Sequence, residues 1–333
     1  MARVRGMRGA TRVYFASDIH GSEVAWRKFV NAAAFYDAHV LVFGGDLMGK
    51  QLVPVVGGAG GYQARVYGED HAFEEDGLGP FTEWLGRIGA YWKVMDREEY
   101  EHARDLPDVQ AELFRDLAAE RLAAWLDRAE DRLAGTGIRM FLTGGNDDEP
   151  TVLGVLEAHR GDRVVACEGR VVDLDGEHTM VTVGWSSPTP WNTWREANEN
   201  DMAAMIEEAV ADVPDVGRCV FNFHCPPKDT PIDTCAELTL PDPATGEDAL
   251  PTVVRIGGRV KTTGGGSSAV REALERYQPV AGLHGHIHES GGRFRIGRTQ
   301  CFNPGSEYAQ GTLRGWMVGL RGGDLTANQA MSG

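Results

Sequence analysis

The sequence predicts an α/β fold, and two observations predict it. Short apolar, β-branched runs alternate with helical patterns along the chain, and this is the grammar of a sheet covered by helices. The same runs also end in loops carrying carboxylate or imidazole side chains, and in open α/β sheets ligands gather at the carboxyl ends of strands.

The first unit sets the pattern. "RVYFAS" and "HVLVFGGD" read as strands, and between them "DIHGSEVAWRKFVNAAAFYDA" repeats Val24, Phe29, Ala33 and Tyr36 at roughly helical spacing. Asp18 follows the first strand and Asp46 the second. From about Met48 to Ala134 the character changes: "VVGGAGGYQ" reads as a Gly-rich loop. A long amphipathic helix then runs to Ala134, with Val109, Leu113, Leu117, Trp125 and Leu133 as its stripe, Asp108 as its N-cap and Gly135 as its stop.

"IRMFLTGGNDD" is the next strand, again ending in Gly and polar residues. "RVVACEGRVVDLDGEHTMVTVGW" reads as a β-hairpin about the Asp175–Gly176 pair. A helix follows at about Trp194 to Val210, and then the strand "RCVFNFHCPP" ends at His224. A Pro- and Gly-rich loop spans 226–266. The chain closes with the helix "SSAVREALERYQ", a strand into "LHGHIHES", and strands near "RFRIGR" and "RGWMVGL".

Bulk properties narrow the classes. A chain of 333 residues, 42% hydrophobic and 25% charged, is an ordinary globular composition. With 33 Lys plus Arg against 49 Asp plus Glu, the net charge of −16 makes extended nucleic acid a poor partner. The five cysteines are scattered without CxxC spacing, which fits reduced thiols. No signal-peptide core and no run of about 18 apolar residues is present, so the expectation is a cytoplasmic protein without a membrane partner.

Singly, a DxH triplet or a GGD turn is weak. In sequence order, however, Asp18 and His20, Asp46, Asn146 with Asp147 and Asp148, His224, and His286 with His288 each follow an apolar strand. Two divalent cations need about eight to ten ligands, with a carboxylate shared between them, and this set is large enough. Mixed carboxylate, carboxamide and imidazole donors suit manganese, iron (as Fe²⁺ or Fe³⁺) or zinc better than calcium.

This series resembles the signature of the calcineurin-like metallophosphoesterase superfamily: DxH, GD, GN[HX][DE], H and GHxH. The segment from Ser267 to Ser306, ending in the NPGS of Asn303 to Ser306, is similar to the Icc-related branch of predicted phosphoesterases, as is "GWSSPTPWNT". The resemblance implies a four-layer αββα sandwich of two mixed sheets, one domain over 1–333, with a mainly helical insertion at 50–135. It implies that Asp18, His20 and His288 hold one metal, that Asn146, His224 and His286 hold a second, and that Asp46 bridges them. It further implies a phosphoester hydrolase in which a metal-bridging hydroxide attacks phosphorus. Its small substrate would be a phosphodiester or nucleotide, with a phosphomonoesterase or a non-catalytic interaction module as alternatives.

Asn146, Asp147 and His224 are the candidate catalytic residues. Asp147 stands where many members have His, and an aspartate beside two cations is a poor general acid near neutral pH. The enzyme is therefore expected to favour leaving groups needing little protonation, or to recruit another acid.

The remaining histidines read as structural: His39 at a strand start, His178 by a turn, and His71, His102 and His159 at the surface. His284 reads as support at a strand end. Cys225 is a weak ligand candidate. Trp185, Ser186, Trp191 and Trp194 form a loop that either stacks on a nucleobase or packs on the core. Specificity is the expected role of the insertion, with homo-oligomerisation an open alternative.

Overall fold

A computed structural model describes residues 7–239 and 251–333. Two six-stranded mixed sheets organise it. In sheet I the order is Asp324–Ser332, Arg314–Arg321, Thr11–Ala16, Val40–Phe43, Arg139–Leu142, Val164–Ala166. Its last four strands are parallel and the first two antiparallel. In sheet II the order is Gly292–Ile296, Thr299–Asn303, Ala281–Leu283, Cys219–Phe223, Thr179–Val183, Val172–Asp173, with four parallel strands in the middle.

Side-chain alternation along each strand explains the layers. Val13, Phe15, Val42 and Phe141 point from sheet I into a core shared with Val220, Leu283 and Phe302 of sheet II. The other face of sheet I carries Tyr14, Leu41, Phe43, Met140 and Leu142, packed on the helices Glu23–Phe35, Pro107–Leu133 and Pro150–Ala158. The other face of sheet II carries Val181, Phe221 and Phe223 against the helices Glu199–Ala211 and Ser268–Tyr277. Because both faces of the parallel strands are buried, they read as continuous apolar runs rather than alternating ones. The fold is thus an α+β sandwich of helix, sheet, sheet and helix.

Between residues 52 and 95 a third sheet forms. Its order is Glu69–Phe73, Gly61–Val66, Leu52–Gly58, Tyr91–Met95, and Val53, Val55, Ala64, Val66, Leu85 and Ile88 fill its own core. "VVGGAGGYQ" is therefore not an open loop but two strands and their turn, with Gly61 at φ +106. Glycine is depleted from strands on average, and here cross-strand pairing overrides that bias. The long helix starts two residues earlier than expected, with Leu106 at the cap and Pro107 as its first residue, and Asp108 lies in its first turn. Its second half joins the helical layer on sheet I, where Trp125 stacks on Trp26 at 4.9 Å and 6°.

The Asp175–Gly176 turn does join antiparallel strands, but only Val172–Asp173 pairs with Thr179–Val183. The preceding valine run, Val164–Ala166, crosses to sheet I and pairs parallel with Arg139–Leu142. The following helix begins at Glu199, five residues later than expected, with Asn198 as its N-cap. The 226–266 loop holds three two-stranded ribbons, and its residues 240–250 lie outside the described ones. Among the described residues no helix is long and apolar enough to cross a membrane.

Candidate metal centre

Loops at the carboxyl ends of both sheets meet at one place. Thr11–Ala16 delivers Asp18 and His20, Val40–Phe43 delivers Asp46, and Arg139–Leu142 delivers Asn146, Asp147 and Asp148. Cys219–Phe223 delivers His224, and Ala281–Leu283 delivers His286 and His288. Asp18, His20, Asp46, Asn146 and His224 are each no more than 3% exposed. Four of the delivered residues, Asp18, His20, Asp46 and His286, adopt φ between +40° and +68°, out of nine non-glycine residues with positive φ among those described. Left-handed backbone costs an L-residue about 1–2 kcal/mol. It persists where surrounding contacts over-determine it, as at binding sites.

Donor atoms of Asp18, His20, Asp46 and His288 lie within 4.8 Å of one another. His20 Nε2 is 2.9 Å from His288 Nε2 and 3.5 Å from Asp46 Oδ2, and His288 Nε2 is 3.4 Å from Asp18 Oδ1. Beside this group, Asn146 Oδ1 faces His224 Nε2 at 3.1 Å and His286 Nδ1 at 2.7 Å, and His224 Nε2 is 3.5 Å from Asp46 Oδ2. Ligands at roughly 2.0–2.2 Å from a common cation stand about 3 Å apart, which is the spacing here. The buried group of Asp18, His20, Asp46 and His288 could hold a metal ion.

Outer contacts aim these donors. His224 Nδ1 donates to the Gly44 carbonyl at 2.8 Å, leaving Nε2 as its free position. The Asn146 amide Nδ2 donates to Thr193 Oγ1 at 2.8 Å and to Asp147 Oδ1 at 3.0 Å, so Oδ1 is the atom turned to the imidazoles. Thr193 in turn donates to Glu196 Oε1 at 2.7 Å. His20 turns Nε2 to the other donors, while its Nδ1 is buried without a hydrogen-bond partner, 3.8 Å from Asp147 Oδ2. Donor chemistry and spacing in the group of Asp18, His20, Asp46 and His288 fit a metal ion.

Glycines make the approach. A Cβ on Gly285 would collide with Ser17 Oγ and Asp18 Oδ2, and one on Gly45, itself at φ +116, would lie 2.6 Å from His224 Nδ1. The NPGS segment also finds its role here. Asn303 Nδ2 donates to the carbonyls of Gly285 and Ile287, and Ser306 Oγ donates to the Asp18 carbonyl at 2.6 Å.

The electrostatics couple the two sheets. Burial opposes ionisation of Asp46, yet His224, His20 and Lys50 hold its carboxyl well below the usual range. Burial likewise opposes a charge on His224, and Asp46 and Asp18 overcome it to raise the imidazole to about 9. His286 is pushed down to about 4 by burial and the His224 charge, and burial and Lys50 hold His20 well below its ordinary value. Burial and Asp46 raise Asp148 to about 7 against three backbone donors, from Gly145, Met48 and Leu47. Asp148 is therefore the brace that ties the GD loop to the GN loop.

Several residues at the site escaped the sequence reading. Lys50 Nζ lies 2.5 Å from Asp147 Oδ2, and the Tyr308 ring packs 4.9 Å from the His20 ring. Lys50 stands four residues after Asp46 and Tyr308 two after the NPGS, and that proximity was the only signal. Other expectations land away from the centre. His284 donates from Nδ1 to the Phe223 carbonyl at 2.8 Å, and Cys225 Sγ lies 3.9 Å from Ser187 Oγ. His178, fully buried by its turn, bonds Asp175 and the Gly322 carbonyl. His71 is not a surface residue but half-buried between Phe81 and Trp84. In the Trp-rich loop Ser186 is buried, while Trp191 and Trp194 are 60% and 58% exposed.

No family model and no curated protein matches the chain. Solved structures do. One matches over 97% of this chain and 98% of its own, at TM-score 0.54 and 15% identity. The protein TT1561 of Thermus thermophilus matches over the same shares at TM-score 0.51 and 12% identity. The sulfate thiohydrolase SoxB of Thermus thermophilus, solved with glycerol, is more distant at TM-score 0.37 and 12% identity, over 97% of this chain and 56% of that one. The first two likenesses establish a shared fold.

Proposed function

We propose that this protein is a metal-dependent phosphoester hydrolase of the calcineurin-like metallophosphoesterase type. The observation that carries the reading is the convergence of seven donors, Asp18, His20, Asp46, Asn146, His224, His286 and His288, from five strand-end loops of two sheets. In this reading Asp18, His20 and His288 hold one cation, Asn146, His224 and His286 a second, and Asp46 is shared. When bound, the cations supply Lewis acidity and a hydroxide nucleophile at neutral pH.

The chain's own residues do the rest. Gly44 and Thr193 hold His224 and Asn146 in the orientation that presents Nε2 and Oδ1. Asp147, paired with Lys50, borders the place where the leaving group departs. Exposed Trp191 and Trp194 sit on the loop whose Thr193 touches Asn146, and an aromatic side chain on that loop would suit small nucleotides or aryl esters. Phosphodiesters are the leading substrate class. A phosphomonoesterase is the second reading, favoured by the ammonium of Lys50, which adds positive charge for a dianionic ester.

The test is metal analysis together with hydrolysis of bis-aryl phosphates, mono-aryl phosphates, cyclic nucleotides and single-stranded DNA in the presence of Mn²⁺. Retention of transition metal with diesters cleaved fastest supports the reading. Protein that retains no metal and cleaves none of these esters overturns it.

A further inference from the structure

Lys50 extends from the GGD loop to the mouth of the centre. Its Nζ lies 2.5 Å from Asp147 Oδ2, and its side chain is half exposed. Asp147 is itself fixed: its backbone N–H donates to Asp46 Oδ1 at 3.1 Å, and Asn146 Nδ2 donates to its Oδ1 at 3.0 Å. His20 Nδ1 stands 3.8 Å from the oxygen that Lys50 holds. A lysine ammonium has three donors, and among the described residues Asp147 is its one ion-pair partner. Two N–H vectors therefore remain for a ligand.

The charge at this mouth needs explaining. Asp147 alone would present a carboxylate to an incoming phosphate and repel it. Lys50 cancels that charge, and its ammonium is near enough to Asp46, His20, His288 and Tyr308 for its charge to act on each of them. A long flexible side chain loses rotamer entropy when it orders around a ligand. Here Asp147 has already ordered it.

Resting on the hydrolase reading, we propose that Lys50 is the anion anchor of this site, positioned by Asp147 so that its ammonium takes a non-bridging phosphoryl oxygen of the substrate or product phosphate. The competing account is that Lys50 only neutralises Asp147. The two accounts part in a double variant, because Lys50→Met with Asp147→Asn removes both charges and leaves nothing to neutralise.

The experiment measures inorganic phosphate binding by calorimetry to the Mn²⁺-loaded protein, with metal content determined in parallel. Loss of a charge-assisted hydrogen bond weakens a ligand by about tenfold or more. Lys50→Met is expected to bind phosphate at least that much more weakly at unchanged metal content, Lys50→Arg to recover part of the affinity, and the double variant to stay weak. The proposal is overturned by a double variant that binds phosphate like wild type, by a Lys50→Met protein that does so, by wild type that binds no phosphate, or by metal loss in Lys50→Met. Phosphate binding through Lys50 without hydrolysis of any ester sinks the hydrolase reading and leaves the anchor standing. Hydrolysis with unaltered phosphate affinity in Lys50→Met does the reverse.

Discussion

The two sheets bring different chemistry to their meeting point. Sheet I brings oxygen: Asp18, Asp46, Asn146 and Asp147, with His20 the one imidazole. Sheet II brings imidazoles alone: His224, His286 and His288. Held apart, the first half would be a cluster of carboxylates repelling one another and the second a set of buried bases with little to charge them. Together they restrain each other. Asp46 raises His224 to about 9, whereas burial and the His224 charge push His286 down to about 4. Both are deep in the molecule and both feel Asp46 and Asp18; His224 alone pairs directly with Asp46, and its charge then opposes one on His286.

The strongest way to break this complementarity is to remove the shared carboxylate. Asp46→Asn is expected to lower metal affinity by more than the roughly 10–100-fold that follows loss of an outer contact. Metal content after dialysis against a chelator checks it, and wild-type retention would refute the shared role. Within that 10–100-fold range falls Thr193→Val, which frees the Asn146 amide to rotate. Its loss should appear as a lower metal stoichiometry with the Asp18, His20 and His288 group still able to load.

A subtler measurement sharpens the electrostatic contrast. His224 has a folded-state pKa raised from 6.5 to about 9, so folding favours its charged form. That stabilisation is full below about pH 6.5 and is lost as pH rises through about 9, with an effect on the order of a few kcal/mol. The thermal midpoint of chelator-treated protein should therefore fall across this window, and the His224→Gln protein should show a flatter profile. The smallest effect on the centre belongs to His284→Gln. Loss of its backbone hydrogen bonds should destabilise the fold by about 1–3 kcal/mol, and metal content should not change.

Legibility in the sequence followed the physics of each element. The apolar runs that became central strands were plain, because burial on both faces leaves few polar residues in them. The 52–95 sheet was not, because its glycines and charged residues disguise strands that depend on pairing with one another. Val164–Ala166 looked like half of a hairpin, and only its neighbour in space, Met140, drew it to sheet I. Lys50, Thr193 and Tyr308 belong to no donor pattern, and each reaches the centre from a loop whose path the sequence does not state.

By itself the sequence determined which strand ends carry donors and in what order, since an apolar run and the loop after it are local features. The tertiary structure alone decided what the donors face. The left-handed turns at Asp18, His20, Asp46 and His286 aim side chains in directions that spacing cannot encode. The packing of sheet I on sheet II then brings carboxylates within about 3.5 Å of imidazoles from residues some 180 to 270 positions away in the chain. At that range in a buried site, direct pairing with Asp46 raises His224 to about 9, and burial with the His224 charge holds His286 at about 4.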